Sequence, residues 1–165
     1  WNAVKVNGKW QLLDATWGAG TVTGNPMAFA FRFNDSYFFT PPEDFVLNHY
    51  PDDEHWLMTN ASKEDFARFP LYYGDYLRKG YEFISPGTGT FTSTKNALLP
   101  FRIKNLKPDD IVYYAFSKDR VLTEAHTVQN GDVAEFTVPL TAGMSGYLTI
   151  YINQRSVAAY KVIKS

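Results

Sequence analysis

The stretch that decides the fold opens the chain: Trp1-Asn2-Ala3-Val4-Lys5-Val6-Asn7-Gly8-Lys9-Trp10-Gln11-Leu12-Leu13-Asp14. Asn7-Gly8 suits positive φ at both centres of a two-residue type I′ turn, so residues 1–6 and 9–14 are expected to pair as a hairpin. With Val6 opposite Lys9, Lys5 faces Trp10, Ala3 faces Leu12 and Trp1 faces Asp14. Asp14 thereby shares a face with Trp1, Trp10 and Leu12. A carboxylate on an aromatic, largely apolar face is costly unless it is hydrogen-bonded or paired with a cation. The sequence names no partner for it.

Outward from the hairpin, residues 15–20 read as a turn-rich stretch and residues 27–33 as a strand. Gly18, Gly20 and Gly24 do not follow the strand, glycine and helix order that phosphate cradling needs, so they are read as turn residues. Pro41-Pro42-Glu43-Asp44 marks a helix start, with proline in the first turn and acids at its positive end, and Pro51 ends that helix. Ser62 and Asp65 form a capping arrangement for a second short helix that Pro70 stops. Beyond it, residues 81–84, 89–93, 98–103, 111–117, 133–140, 146–152 and 156–163 read as short strands. Turn signals at Lys107-Pro108-Asp109-Asp110 and Asn130-Gly131 separate them, which predicts a β-sandwich of immunoglobulin type. The fold class expected is mainly β with short helices (α+β), divided into residues 1–65 and 66–165.

Composition narrows the function classes. The 165 residues are 45% hydrophobic and 20% charged, as in a globular chain and unlike a disordered one. A net charge of −1 leaves no general field for a nucleic-acid backbone, so no nucleic acid is expected as a partner. Residues 1–62 hold three basic side chains (Lys5, Lys9, Arg32) against seven acidic ones, so the small negative balance sits in the first part. The apolar runs are far shorter than the ~20 residues of a membrane-crossing helix, so no membrane span is expected. Cysteine is absent, which removes disulfides and thiol nucleophiles from these residues and leaves the compartment open. The chain opens on Trp1 without a leader-like segment, so an upstream stretch is expected.

The run from Trp1 to Asp14, continued by Ala15-Thr16-Trp17-Gly18, is similar to the second half of a transglutaminase-like cysteine-peptidase core. It most resembles the kyphoscoliosis-peptidase and hillarin branch. Phe33-Asn34-Asp35-Ser36-Tyr37-Phe38-Phe39-Thr40-Pro41-Pro42-Glu43 and His49-Tyr50-Pro51-Asp52-Asp53 with Trp56 carry the same resemblance, which covers about residues 1–58. In that family a His-x-Trp-Asn strand supplies the catalytic histidine, the aspartate of the next strand orients it, and a cysteine on an earlier helix is the nucleophile. Carried over by position, the histidine falls two residues before Trp1 and the aspartate is Asp14. The hairpin register puts that histidine on the Asp14 face, diagonal to it at about 7–8 Å between backbones.

The resemblance thus implies the C-terminal part of a transglutaminase-like core followed by a β-sandwich. It implies a cysteine peptidase or acyltransferase acting on protein or peptide amide bonds, with no cofactor. The partners expected are the N-terminal half of the chain's own catalytic core and a protein or peptide substrate. A thiol becomes a good nucleophile when an imidazole takes its proton, and the imidazole needs a carboxylate to hold its tautomer. Asp14 is therefore the catalytic candidate, and these residues alone, lacking thiol and histidine, are expected to be inactive. The alternative is a non-catalytic binding or scaffolding module with a degenerate core.

Among the remaining candidates, Trp1 and Trp17, with Trp56, are substrate-cleft candidates, beside the commoner role of large aromatics in core or edge packing. His49 and His55 flank Asp52, Asp53 and Glu54, but their spacing matches no metal-ligand pattern, so a solvated acidic loop is expected and no metal. His126 is read as a strand residue. Tyr72, Tyr73 and Tyr76 are assigned to packing against the first domain. Asn34-Asp35-Ser36 and Asn60-Ala61-Ser62 fit the glycosylation pattern, which many unmodified proteins also carry.

Overall fold

Positive φ at Asn7 (49°) and Gly8 (79°) closes the opening hairpin as the dipeptide requires. A computed structural model describes residues 1–119 and 121–164. In it β1 (Asn2–Val6) pairs antiparallel with β2 (Lys9–Leu13), with Lys5 opposite Trp10 and Ala3 opposite Leu12, the expected register. Regular pairing stops one residue short of Trp1 and Asp14, because Asp14 leaves the strand to cap a helix. By contact the chain separates into two compact units, Trp1–Phe66 and Ala67–Ser165.

In the first unit, residues 15–20 are not simply turns. Ala15–Ala19 form α1, with Asp14 as N-cap, and the chain continues into the hairpin β3 (Gly20–Thr23) and β4 (Ala28–Phe31). Gly20 is more than a turn residue: a Cβ there would stand 2.2 Å from the Ala30 carbonyl oxygen, so only glycine allows the two strands so close. A short 3-10 turn, Asp35–Tyr37, feeds β5 (Phe38–Thr40), which adds to the free side of β2. Next come α2 (Pro42–Phe45), with proline in its first turn, and a 3-10 turn at Glu54–Trp56. Leu12, Tyr37, Phe45, Val46 and Leu57 form the small buried core of this unit.

The helix α3 (Lys63–Arg68) spans the division between the units. Ser62 and Asp65 cap it reciprocally: the Asp65 amide donates to the Ser62 hydroxyl oxygen, and the Ser62 amide donates to the Asp65 carboxylate.

The second unit is a sandwich of two sheets whose strands pair antiparallel except for β8. Its elements are β6 (Leu71–Tyr72), α4 (Gly74–Lys79), β7 (Glu82–Ser85), β8 (Thr90–Thr92), β9 (Ala97–Lys104), β10 (Val112–Phe116), β11 (Thr123–Glu124), β12 (Val128–Asn130), β13 (Val133–Leu140), β14 (Gly146–Ile152) and β15 (Arg155–Ile163). One sheet runs β7-β9-β13-β12. The other runs β11-β10-β14-β15, with β8 parallel and β6 antiparallel along the outer side of β15. The entry strand divided between the sheets, and the order of the rest, are those of an immunoglobulin-type sandwich. Alternating residues fill its centre: Phe101 stacks on Phe136 at 5.0 Å and meets Tyr160 of the opposite sheet edge-on at 5.3 Å.

Two expectations need correction here. Tyr72 and Tyr76 stack on each other and lie against Phe83, so they belong to the core of the second unit. His126 is exposed and lies between β11 and β12 rather than in a strand, where the chain passes from one sheet to the other after placing Ala125 inside.

Candidate active-site carboxylate

Three backbone features converge on Asp14. Its amide donates to the Tyr37 carbonyl at 2.9 Å, prolonging the alignment of β2 with β5, while its own carbonyl accepts from the Gly18 amide at 2.9 Å as the first bond of α1. Its side chain turns back over that helix, and Oδ1 accepts from the Trp17 amide at 2.8 Å. The residue is 7% exposed.

The other carboxylate oxygen finds the partner that sequence reading did not supply. His49 Nε2 lies 3.0 Å from Asp14 Oδ2, and His49 is 8% exposed. The expected solvated acidic loop is thus corrected at one position: Asp52, Asp53, Glu54 and His55 are exposed, but His49 is not. The reason is helical spacing. The His49 amide donates to the Phe45 carbonyl at 3.0 Å, one turn beyond α2, which stacks the imidazole on the Phe45 ring at 4.1 Å. Trp17 lies against the imidazole at 4.7 Å and Tyr37 meets it at 5.8 Å. His49 Nδ1 lies 2.5 Å from the Asn48 side-chain oxygen, and the Asn48 side-chain nitrogen donates to the Tyr37 hydroxyl at 3.1 Å.

Electrostatics gives the pair a definite protonation state. Burial by itself would raise the Asp14 carboxyl, but the Trp17 amide and the His49 imidazole outweigh it and hold the group below its ordinary range. Burial pushes His49 below the ordinary histidine value, against the opposing pull of Asp14. The carboxylate of the pair is favoured in its anionic form. An ionised carboxylate only accepts, so Nε2 carries the proton.

Trp1 and Trp17, expected at a cleft, each lie against this cluster with part of the ring in solvent. Trp1 is 40% exposed and packs edge-on to Phe45 at 5.1 Å; Trp17 is 46% exposed and meets Tyr37 at 5.8 Å. Trp56 lies apart from them, edge-on to Trp10 at 5.1 Å, with His55 on its other side. His49 and His55 thus have different neighbours, and among the described residues no group of three or more His, Asp or Glu side chains is arranged to hold a metal. His49 was missed in the sequence because its partner is remote along the chain. Its signal was the Phe45-to-His49 interval, which sets both rings on one helical face.

Comparison with known proteins defines the class first. No protein-family model matches the chain. A LIM and transglutaminase domain protein of Caenorhabditis elegans is 23% identical over 97% of this chain and 25% of its own length. The kyphoscoliosis peptidase of mouse is 33% identical over 66% of this chain, and hillarin of Drosophila melanogaster is 28% identical over 57%. The chain is similar to the kyphoscoliosis-peptidase and hillarin-like branch of the transglutaminase-like proteins. It spans only 16% of the mouse peptidase and 13% of hillarin. Solved structures align at low scores, among them a Dpr2 Ig1-Ig2 complex with DIP-Theta (TM-score 0.39, 16% identity, 52% of this chain and 47% of that one). A Lin-41 filamin domain aligns at TM-score 0.36 and 8% identity, over 52% of this chain and 93% of its own. The sandwich assignment rests on the strand order above.

No helix among the described residues is long and apolar enough to cross a membrane.

Proposed function

We propose that residues 1–65 are the C-terminal part of a transglutaminase-like catalytic core, that residues 66–165 are an immunoglobulin-like domain following it, and that the intact protein is a cysteine peptidase or acyltransferase acting on protein or peptide amide bonds. Asp14 is the orienting carboxylate of its triad. The observation that carries this reading is a buried carboxylate at the end of β2, hydrogen-bonded to the Trp17 amide and the His49 imidazole, in a chain whose relatives include a kyphoscoliosis peptidase. A histidine two residues before Trp1 would extend β1 along the hairpin and come diagonal to Asp14, within reach of its free lone pairs.

In the reaction, that imidazole takes the thiol proton of an upstream cysteine and the thiolate attacks the amide carbonyl. The imidazolium then donates its proton to the leaving amine, and water or a second amine releases the acyl group. Asp14 holds the imidazole tautomer and stabilises its charged form throughout. Trp1 and Trp17 flank the carboxylate as walls of the substrate cleft.

The partner of these residues is the N-terminal half of the same core. The β3-β4 hairpin supports this assignment: register sets Val22, Phe29 and Phe31 on one face, all exposed, and Thr21, Thr23, Ala28 and Ala30 on the other. A soluble protein covers such a face.

The test is Asp14→Ala and Asp14→Asn in the full-length protein, read as amide hydrolysis and as amine incorporation into a protein substrate. The expected result is a fall in kcat of at least about a hundredfold with little change in KM. A rate within about threefold of the parent, under ~1 kcal/mol, would overturn the triad assignment. The isolated 165-residue chain should show neither activity.

A second reading has its own observation. Both Asp14 oxygens already accept hydrogen bonds from this chain, as a purely structural N-cap would. That favours a scaffolding module with a degenerate core. An upstream sequence without the histidine and cysteine would leave this reading alone standing.

A further inference from the structure

We propose that His49 is a positioning residue for the Asp14 carboxylate: it donates Nε2–H to Oδ2 and, with the Trp17 amide on Oδ1, locks the plane of the carboxylate that orients the catalytic imidazole. This rests on the proposed triad role of Asp14 and assigns a function to a side chain that role does not require.

Geometry carries the inference. A carboxylate with a single donor rotates about its Cβ–Cγ bond; one gripped on both oxygens does not. The two grips come from different elements, the Trp17 amide of α1 at 2.8 Å and the ring of His49 beyond α2 at 3.0 Å. Each oxygen keeps a further lone pair, so the arrangement leaves room for a third donor.

His49 is itself held. Its ring lies flat on Phe45, with an interplanar angle of 19°, and Trp17 covers it on another side. Nδ1 lies against the Asn48 side-chain oxygen, while the Asn48 side-chain nitrogen donates to the Tyr37 hydroxyl. With both ring nitrogens engaged, His49 is ill placed to take the thiol proton itself, which separates positioning from general-base work. The titratable groups in contact with it are Asp14 and the Tyr37 phenol.

The experiment begins on the 165-residue chain. Nitrogen NMR of the imidazoles should find His49 protonated at Nε2 at neutral pH; an unprotonated Nε2 would overturn the proposal. Carbon NMR of the Asp14 carboxyl should show its titration midpoint rising in His49→Phe, which keeps the stacked ring and removes the donor. It should return toward the parent value in His49→Gln, whose amide nitrogen replaces Nε2. A midpoint unmoved by His49→Phe would equally overturn it, and if that variant fails to fold, the tautomer measurement on the parent chain still decides.

In the full-length enzyme, His49→Phe should lower kcat by roughly 10- to 100-fold with KM within about twofold. The acid limb of its kcat profile should move to higher pH, and His49→Gln should restore most of the rate. Loss of activity in Asp14→Ala but not in His49→Phe would refute the positioning role and leave the triad intact. Full activity in both variants would refute the triad itself.

Discussion

The two units solve the same problem, burying enough surface to hold a fold, with different means. In Ala67–Ser165 the centre is apolar and continuous: Phe101, Ile103, Val138, Leu148, Ile150, Val157 and Tyr160 are each at most 1% exposed and come from both sheets. In Trp1–Phe66 the apolar core is small, and the buried Asp14–His49 pair and Thr40 add polar groups to the interior. Phe29, Phe31 and Phe33 meanwhile remain exposed by 59%, 76% and 62%. A core of side chains in dispersion contact tolerates no water but asks little of orientation. A buried carboxylate asks for donors at fixed places and carries a large penalty when one is lost. The second unit is therefore held by apolar packing, the first by a small core beside a carboxylate that must be satisfied.

Separating the units should expose this contrast most fully. Residues 67–165 expressed alone should fold, giving a dispersed amide NMR spectrum, whereas residues 1–66 alone should aggregate or remain largely unfolded. The reverse result would mean that the hairpin and its polar cluster, not the sandwich, nucleate the chain.

Within the whole chain, Phe101→Ala should be the next largest effect, removing about 3–5 kcal/mol from the sandwich through the cavity it leaves. All four tryptophans lie in the first unit, so denaturant unfolding followed by tryptophan fluorescence isolates that unit, and amide circular dichroism adds the other. Phe101→Ala should shift the dichroism midpoint more than the fluorescence midpoint.

Asp14→Ala should do the opposite, lowering the fluorescence midpoint by about 1.5–3 kcal/mol, since it removes a helix cap and a hydrogen bond to a charged group together.

Acidification tests the same cluster with no mutation. His49 has a folded pKa below the 6.5 of the free side chain, so the unfolded chain takes up its proton first, and the first unit should lose stability as the pH falls through and below 6.5. Asp14, held below its reference of 3.8, adds a second loss below that value. Asp44, raised by burial and by Glu43, works with the opposite sign near its own reference of 3.8, so it does not produce the loss at pH 6.5. A fluorescence midpoint that is flat between pH 7 and 5 would show that His49 does not change its protonation on unfolding.

The smallest effect should come from Gly8→Ala. At φ +79° no atom lies near an added Cβ, so only backbone strain is introduced, about 1 kcal/mol on the fluorescence midpoint.

How much of this was legible beforehand depends on how local each cause is. The hairpin register followed from two residues, Asn7 and Gly8, and the capping of α3 from Ser62 and Asp65, because both are encoded within a few positions. Sandwich strands were legible through alternation, as in Leu148, Ile150 and Ile152. The helix α1 was not, because its signal lies in Asp14 acting as a cap, a role hidden while the residue was read as the end of a strand. The Asp14 to His49 bond was not legible either. It joins positions 35 residues apart, and the nearby acids gave His49 the look of a solvated loop.

Periodicity, turn chemistry and family motifs thus established from the residues alone a mainly β chain with an immunoglobulin-type sandwich, a hairpin of known register, and a carboxylate in need of a partner. The identity of that partner, the inward turn of His49, and the assignment of Tyr72 and Tyr76 to the sandwich core came from the folded chain. The physical reason is the range of the forces involved. Backbone preferences and alternation act between near neighbours and are written in order along the sequence. Satisfying a buried charge depends on which groups the packing of distant elements brings within 3.0 Å of it.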